Sequence, residues 1–126
     1  MVSTIVLVDD DPILTEVMAQ ELTSRHRRVH TFSDPIRALA ALAHLHPDLL
    51  ITDLSMPWVD GKDLVSSARL RQPDLKILLM SGYSRGAEIA SSEHIRFLPK
   101  PIDLDGLLRA VDEALDSTSA IGASAI

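Results

Sequence analysis

There is no cysteine in these 126 residues, so a disulfide framework and a thiolate metal site are both excluded. Aromatic side chains make up only 3% of the chain, and Trp58, Tyr83 and Phe97 are too few for a base-stacking platform. Basic residues are outnumbered, 12 Lys and Arg against 18 Asp and Glu, for a formal charge of −6. That balance argues against nucleic acid or an anionic membrane surface as a direct partner, because both select a basic face. No apolar run approaches the ~20 residues of a membrane helix. The amino end meets acid at Asp9 after a few apolar residues, unlike a signal peptide. A cytoplasmic protein is the expectation. What remains, with 46% hydrophobic and 24% charged residues, is an ordinary globular composition for one domain.

Five short strand-like runs alternate with helix-like segments: Thr4–Val8, Val29–Phe32, Asp48–Thr52, Lys76–Met80 and Ile95–Leu98. Ile5–Val8, Leu49–Ile51 and Ile77–Met80 are continuously apolar, the mark of strands covered on both faces. Helices are predicted over Pro12–Arg25, with Ile13, Leu14, Val17, Met18 and Leu22 on one face, and from Pro35 to about His46 behind a Ser33–Asp34 cap. Another follows Gly61, and a last one covers Leu104–Leu115. Ser84–Glu93 is the poorest, since Gly86 and three serines lower its propensity. Residues 1–116 therefore form the expected domain, with 117–126 a flexible tail or a linker. The alternation predicts right-handed crossovers and a doubly wound parallel sheet. Pro99 fits only if the fifth strand lies at an edge.

Ligands in such sheets sit beyond the carboxyl ends of the strands, and the unusual residues fall there. The first strand ends in Asp9-Asp10-Asp11-Pro12 and the third in Asp53-Leu54-Ser55-Met56-Pro57. The fourth ends in Ser81-Gly82-Tyr83, the fifth in Lys100-Pro101. Taken singly, each has a plain explanation as a helix start or a turn. Their convergence on one rim does not. Crowded carboxylates repel unless a cation neutralises them, and hard oxygen ligands suit Mg²⁺. An aspartate can serve as nucleophile to form an acyl phosphate, with a lysine as second clamp and a serine hydroxyl as donor.

Together these strings, with Asp60-Gly61, resemble the receiver domain of two-component response regulators, over roughly residues 3–116. The resemblance implies a flavodoxin-like five-stranded sheet in the order 2-1-3-4-5, with about five helices. It makes Asp53 the phosphoacceptor and gives Mg²⁺ the side chains of Asp10 and Asp53 and the carbonyl of Ser55, with Asp9 acting through the ion's waters. Ser81 becomes the hydroxyl drawn toward the phosphoryl group, Lys100 its ion-pair partner, and the Lys100–Pro101 bond cis. Phe97 takes the aromatic position that follows Ser81, while Ser55 and Tyr83 govern water access to the acyl phosphate. The implied donor is a sensor histidine kinase or a histidine phosphotransfer protein. A downstream partner or output is implied but not named, and homodimer formation is left open.

Only 18 residues separate Ser81 from Lys100, a few fewer than in many receivers. The wording around Ser81 and Phe97 is similar to receivers fused to hybrid histidine kinases, and a stand-alone receiver is the other form expected. Two other functions compete. A phosphatase of the haloacid-dehalogenase type would use Asp9-Asp10-Asp11 but leaves Asp53 idle and lacks a late acidic pair. A phosphorylation-independent interaction module would have lost an acid or the lysine, and none is missing here. The expected protein is thus a switch that catalyses only its own phosphorylation and dephosphorylation. The five histidines are scattered and give no phosphocarrier site.

Overall fold

The computed structural model describes the backbone of residues 2–82, 84–92 and 95–125, and the side chains of these except at 84, 85, 92 and 117–125. Strands and helices alternate throughout: β1 (Ser3–Val8), α1 (Pro12–Leu22), β2 (Arg27–Phe32), α2 (Pro35–Ala41), β3 (Leu49–Asp53), α3 (Gly61–Arg71), β4 (Lys76–Ser81), α4 (Ser84–Ser92), β5 (Arg96–Pro99) and α5 (Leu104–Ala125). All strand pairs are parallel, in the order β2-β1-β3-β4-β5. This is the flavodoxin-like order the sequence implied, and the strands match the expected runs to within two residues.

The three apolar runs occupy the centre of the sheet, as strands buried on both faces must. Their period-two alternation then divides the core. Ile5, Leu7, Leu49, Ile51, Leu78 and Met80 face α1 and α5, meeting Met18, Leu22, Leu107 and Val111. Val6, Val8, Leu50 and Ile77 face the other way, onto Ala38 and Leu42 of the α2 segment and Leu64, Val65 and Ala68 of α3. A smaller cluster of Leu54, Leu79 and Ala90 seats α4. Pro99 lies within β5 at the sheet edge, where its missing N–H leaves no ladder bond unmade.

Aspartates start three helices. Asp11 accepts from Ile13 and Leu14 N–H, Asp34 from Ile36 N–H, and Asp60 from Asp63 N–H, so each satisfies amides that a helix start leaves unpaired.

Three helix expectations need correction. α1 ends at Leu22, because Thr23 turns extended and its N–H and Oγ both bond the Ala19 carbonyl, at 2.9 and 2.7 Å. Within it Leu14, Met18 and Leu22 pack inward, whereas Ile13 and Val17 stand exposed on the adjacent stripe. α2 stops at Ala41, after which Ala43 and His44 N–H bond carbonyls three residues back. Pro47, one residue past the expected end, disfavours helical backbone at His46. α5 continues past Leu115 to Ala125. No helix among the described residues is long and apolar enough to cross a membrane.

Candidate functional site

The parallel register brings the carboxyl ends of four strands to one rim. Val8 pairs with Thr52, Asp53 with Met80, and Ser81 with Pro99, so Asp9, Asp53, Ser81 and Lys100 emerge side by side. Asp53 is the last residue of β3, and its backbone is firmly held. The Thr52 hydroxyl donates to the Asp53 carbonyl at 3.0 Å, and Leu54 N–H bonds the Met80 carbonyl at 2.9 Å. α3 starts directly against this turn: Gly61 N–H bonds the Leu54 carbonyl at 2.7 Å. A Cβ at Gly61 would lie 2.2 Å from the Asp53 carbonyl oxygen, so only glycine lets α3 begin here.

Lys100 closes the site from the far edge. Its N–H bonds the Ser81 carbonyl at 2.9 Å, and the following bond to Pro101 is cis, as expected. Its ammonium lies 2.8 Å from Asp9 Oδ2 and 3.1 Å from Asp53 Oδ2. Asp9 is wholly buried, and its other oxygen accepts from Asp11 N–H at 2.9 Å. Asp10 is exposed at the mouth. Carboxylate oxygens of Asp9, Asp10 and Asp53 lie within 4.8 Å of one another, a grouping that could hold a metal ion.

The electrostatics follow from this crowding. Burial pushes the Asp53 carboxyl above its ordinary value; the hydrogen bond and charge of Lys100 oppose this, Asp9 adds to it, and a Ser55 backbone hydrogen bond opposes it. Burial acts against the Lys100 ammonium too, but Asp9 and Asp53 together outweigh it and raise its pKa. The two directions are consistent: Lys100 gains two carboxylates, whereas Asp53 shares one cation with Asp9 and still bears its own desolvation. Three carboxylates around one ammonium leave an excess of two negative charges when all are ionised. Hard oxygens with that excess fit Mg²⁺ by donor type and charge.

Asp9, Asp10, Asp53 and Lys100 are thus brought together, and Ser81 is buried beside them at the end of β4. Ser55 is exposed on the loop after Asp53, and Pro101 is exposed next to Lys100. Phe97 is half-buried against the cluster that seats α4. Tyr83 lies outside the described residues. Asp11, one of the three adjacent acids, points into the cap of α1 and takes no part in the oxygen cluster. Asp53, idle under the phosphatase alternative, is drawn into the acidic cluster.

Two residues escaped the sequence reading. Thr52 is wholly buried beneath the acceptor. Gly86, read there only as a weak point of a poor helix, is where α4 presses on the site. A Cβ at Gly86 would stand 2.4 Å from Ser81 Cβ, 2.8 Å from its Oγ and 2.9 Å from Phe97 Cε1. No local signal separates such a contact from an ordinary helix-weakening glycine.

Residues 5–112 match the response regulator receiver domain family. Over 118 residues the chain is 32% identical to the transcriptional regulatory protein GlrR of Escherichia coli (strain K12), covering 91% of this chain and 27% of that protein. It is 31% identical over 119 residues to the sensor kinase CckA of Brucella abortus (strain 2308), covering 90% of this chain and 13% of the kinase. The chain therefore spans only a fraction of the length of these relatives. The crystal structure of a CheY-like response regulator receiver domain protein from Methanospirillum hungatei JF-1 superposes with a TM-score of 0.86 at 22% identity, covering 95% of this chain and 98% of that one. With the same fold and a family match spanning most of its length, the chain belongs to the response regulator receiver domain family.

Proposed function

We propose that this receiver is a signalling switch whose Asp53 accepts a phosphoryl group in a Mg²⁺-dependent reaction. The observation that carries the proposal is the Lys100 ammonium, which bridges Asp9 and Asp53 at 2.8 and 3.1 Å at the acidic rim. A buried carboxylate with a cation at its oxygen, open to solvent only at the mouth, is a nucleophile poised beside a fixed positive charge.

In the step itself an Asp53 carboxylate oxygen attacks phosphorus. A P–O bond forms as the P–N bond of a donor phosphohistidine breaks, and the electron pair passes to the imidazole nitrogen, which takes a proton from water. With acetyl phosphate the broken bond is P–O and acetate leaves. Lys100 pairs with the phosphoryl oxygens as the charge on Asp53 moves outward. The Ser81 hydroxyl donates to one of them, and Phe97 repacks behind it. Asp10, Asp53 and the Ser55 carbonyl would hold Mg²⁺, with Asp9 behind its waters. The bound ion supplies screening between an anionic donor and an anionic pocket. Ser55 and Tyr83 govern water access to the acyl phosphate, and residues 117–126 act as tail or linker.

The donor is a sensor histidine kinase or a histidine phosphotransfer protein of the cytoplasm, and phosphorylation shifts a pre-existing equilibrium that a downstream partner reads. Among relatives, the names of a transcriptional regulatory protein and a sensor kinase support such a context. Incubation with acetyl phosphate should add one phosphoryl group by intact mass, only with Mg²⁺ present. Asp53→Asn should add none while keeping its fold. Labelling of the Asn variant at the wild-type level would remove Asp53 from this role.

A further inference from the structure

We propose that a cavity between α3 and α4, away from the acidic rim, binds a small apolar organic anion of the carboxylate class. The cavity measures about 300 Å³, at the small end of ligand pockets. Lys62, Val65, Ser66, Arg69 and Leu70 line one wall, at the i, i+3, i+4, i+7 and i+8 positions of α3. That is the spacing of a covered helix face, yet Leu70 at the rim is 85% exposed. The wholly buried Leu79 of β4, Ile89 of α4 and Ile95 ahead of β5 complete the lining.

Charge decides which occupant suits it. On a chain of net charge −6, the described residues of this lining include two cations, Lys62 and Arg69, and no carboxylate. Arg69 turns toward the protein, its Nη2 lying 3.5 Å from the Leu75 carbonyl. Lys62, on the first turn of α3, is exposed. The Ser66 hydroxyl stands one turn beyond it on the same wall. An apolar body would therefore rest on Leu79, Ile89 and Ile95 with its carboxylate toward Lys62. Such a ligand touches α4 through Ile89, so its binding would weight the placement of α4.

The test is a methyl NMR titration with 4-phenylbutyrate and, separately, its neutral amide. It is run on the wild type and on Asp53→Asn, so that the result does not depend on phosphoryl transfer. The expected outcome is saturable shifts at the Leu70, Leu79, Ile89 and Ile95 methyls, the same in both proteins, with the acid bound about fivefold more tightly than the amide, the size of one solvent-accessible ion pair. Lys62→Gln should erase that advantage and leave the amide unchanged. Ser66→Leu, which fills the cavity, should abolish binding of both at an unaltered melting temperature. Equal binding of acid and amide to the wild type would overturn the proposal. So would shifts centred elsewhere, or none saturating below about 10 mM.

Discussion

Gly86→Ala sets two effects of opposite sign against each other. In a helix interior alanine is favoured over glycine by about 1 kcal/mol, and α4 is otherwise poor in helix formers. The added Cβ, however, would lie 2.4 Å from Ser81 Cβ, 2.8 Å from Ser81 Oγ and 2.9 Å from Phe97 Cε1. The ring and the hydroxyl can rotate away. Ser81 Cβ cannot, because Ser81 is a buried strand residue whose carbonyl is tied to Lys100 N–H. α4 must therefore retreat, and among the described residues it is seated by the small cluster around Leu79 and Ala90. Overpacking of this kind costs typically 1–3 kcal/mol. The clash wins, for a net loss of up to about 2 kcal/mol and a melting temperature lower by up to roughly 8 °C. Calorimetry gives the shift, and hydrogen exchange should show faster exchange in α4 while the Leu107–Ala114 part of α5 stays protected. Ser81→Gly in the same background removes two of the three contacts, so the double variant should recover about 1 kcal/mol beyond additivity. A Gly86→Ala protein that melts higher than wild type, with additive behaviour in the cycle, would show that α4 does not bear on Ser81.

In metal-free buffer Asp53→Asn should melt higher than wild type at neutral pH. Because burial raises the folded Asp53 pKa above its ordinary 3.8, the stability this carboxyl contributes is full below that value and is lost as pH rises through the folded pKa. The gap in melting temperature should therefore open from about pH 4 upward, and a gap independent of pH contradicts the burial argument. Lys100→Met leaves Asp9 and Asp53 without their cation; removing one partner of a buried pair costs 3–5 kcal/mol, and with Lys100 a quarter exposed about 2 kcal/mol is expected from urea unfolding. Since the folded ammonium pKa is raised above 10.5, that difference should hold below this pH and shrink above it, and a loss under 0.5 kcal/mol at neutral pH would mean solvent replaces the contact. Trp58 adopts a φ of 73° in a tight turn where Val59 N–H bonds the Pro57 carbonyl at 2.8 Å, yet it is 89% exposed. With strain to relieve and almost no burial to lose, Trp58→Gly should stabilise the fold by about 1 kcal/mol; a lower melting temperature would argue against strain at this turn.

Much of this protein is legible without coordinates, for physical reasons that act over short stretches of chain. Continuous apolar runs such as Leu49–Ile51 demand cover on both faces, and aspartates ahead of Pro12 and Pro35 mark helix starts whose free amides need acceptors. Alternating strands and helices wind one way, so the acids at the ends of β1 and β3 and the lysine after β5 had to reach the same rim. Tertiary structure alone decided what each group at that rim touches. Lys100 meets Asp9 across 91 positions of sequence, and whether its ammonium bridges Asp53 as well depends on sheet twist and register, which no local pattern encodes. Local sequence alone does not separate the three adjacent aspartates, and only the resemblance gave Asp9 and Asp10 different roles; the fold turned Asp11 into a cap and buried Asp9 while leaving Asp10 at the mouth. Gly61 and Gly86 make the same point. Each reads as a turn or a weak spot in one dimension, but the backbone or side chain that forbids a Cβ there comes from another element, brought within 3 Å only when the sheet and its helices pack.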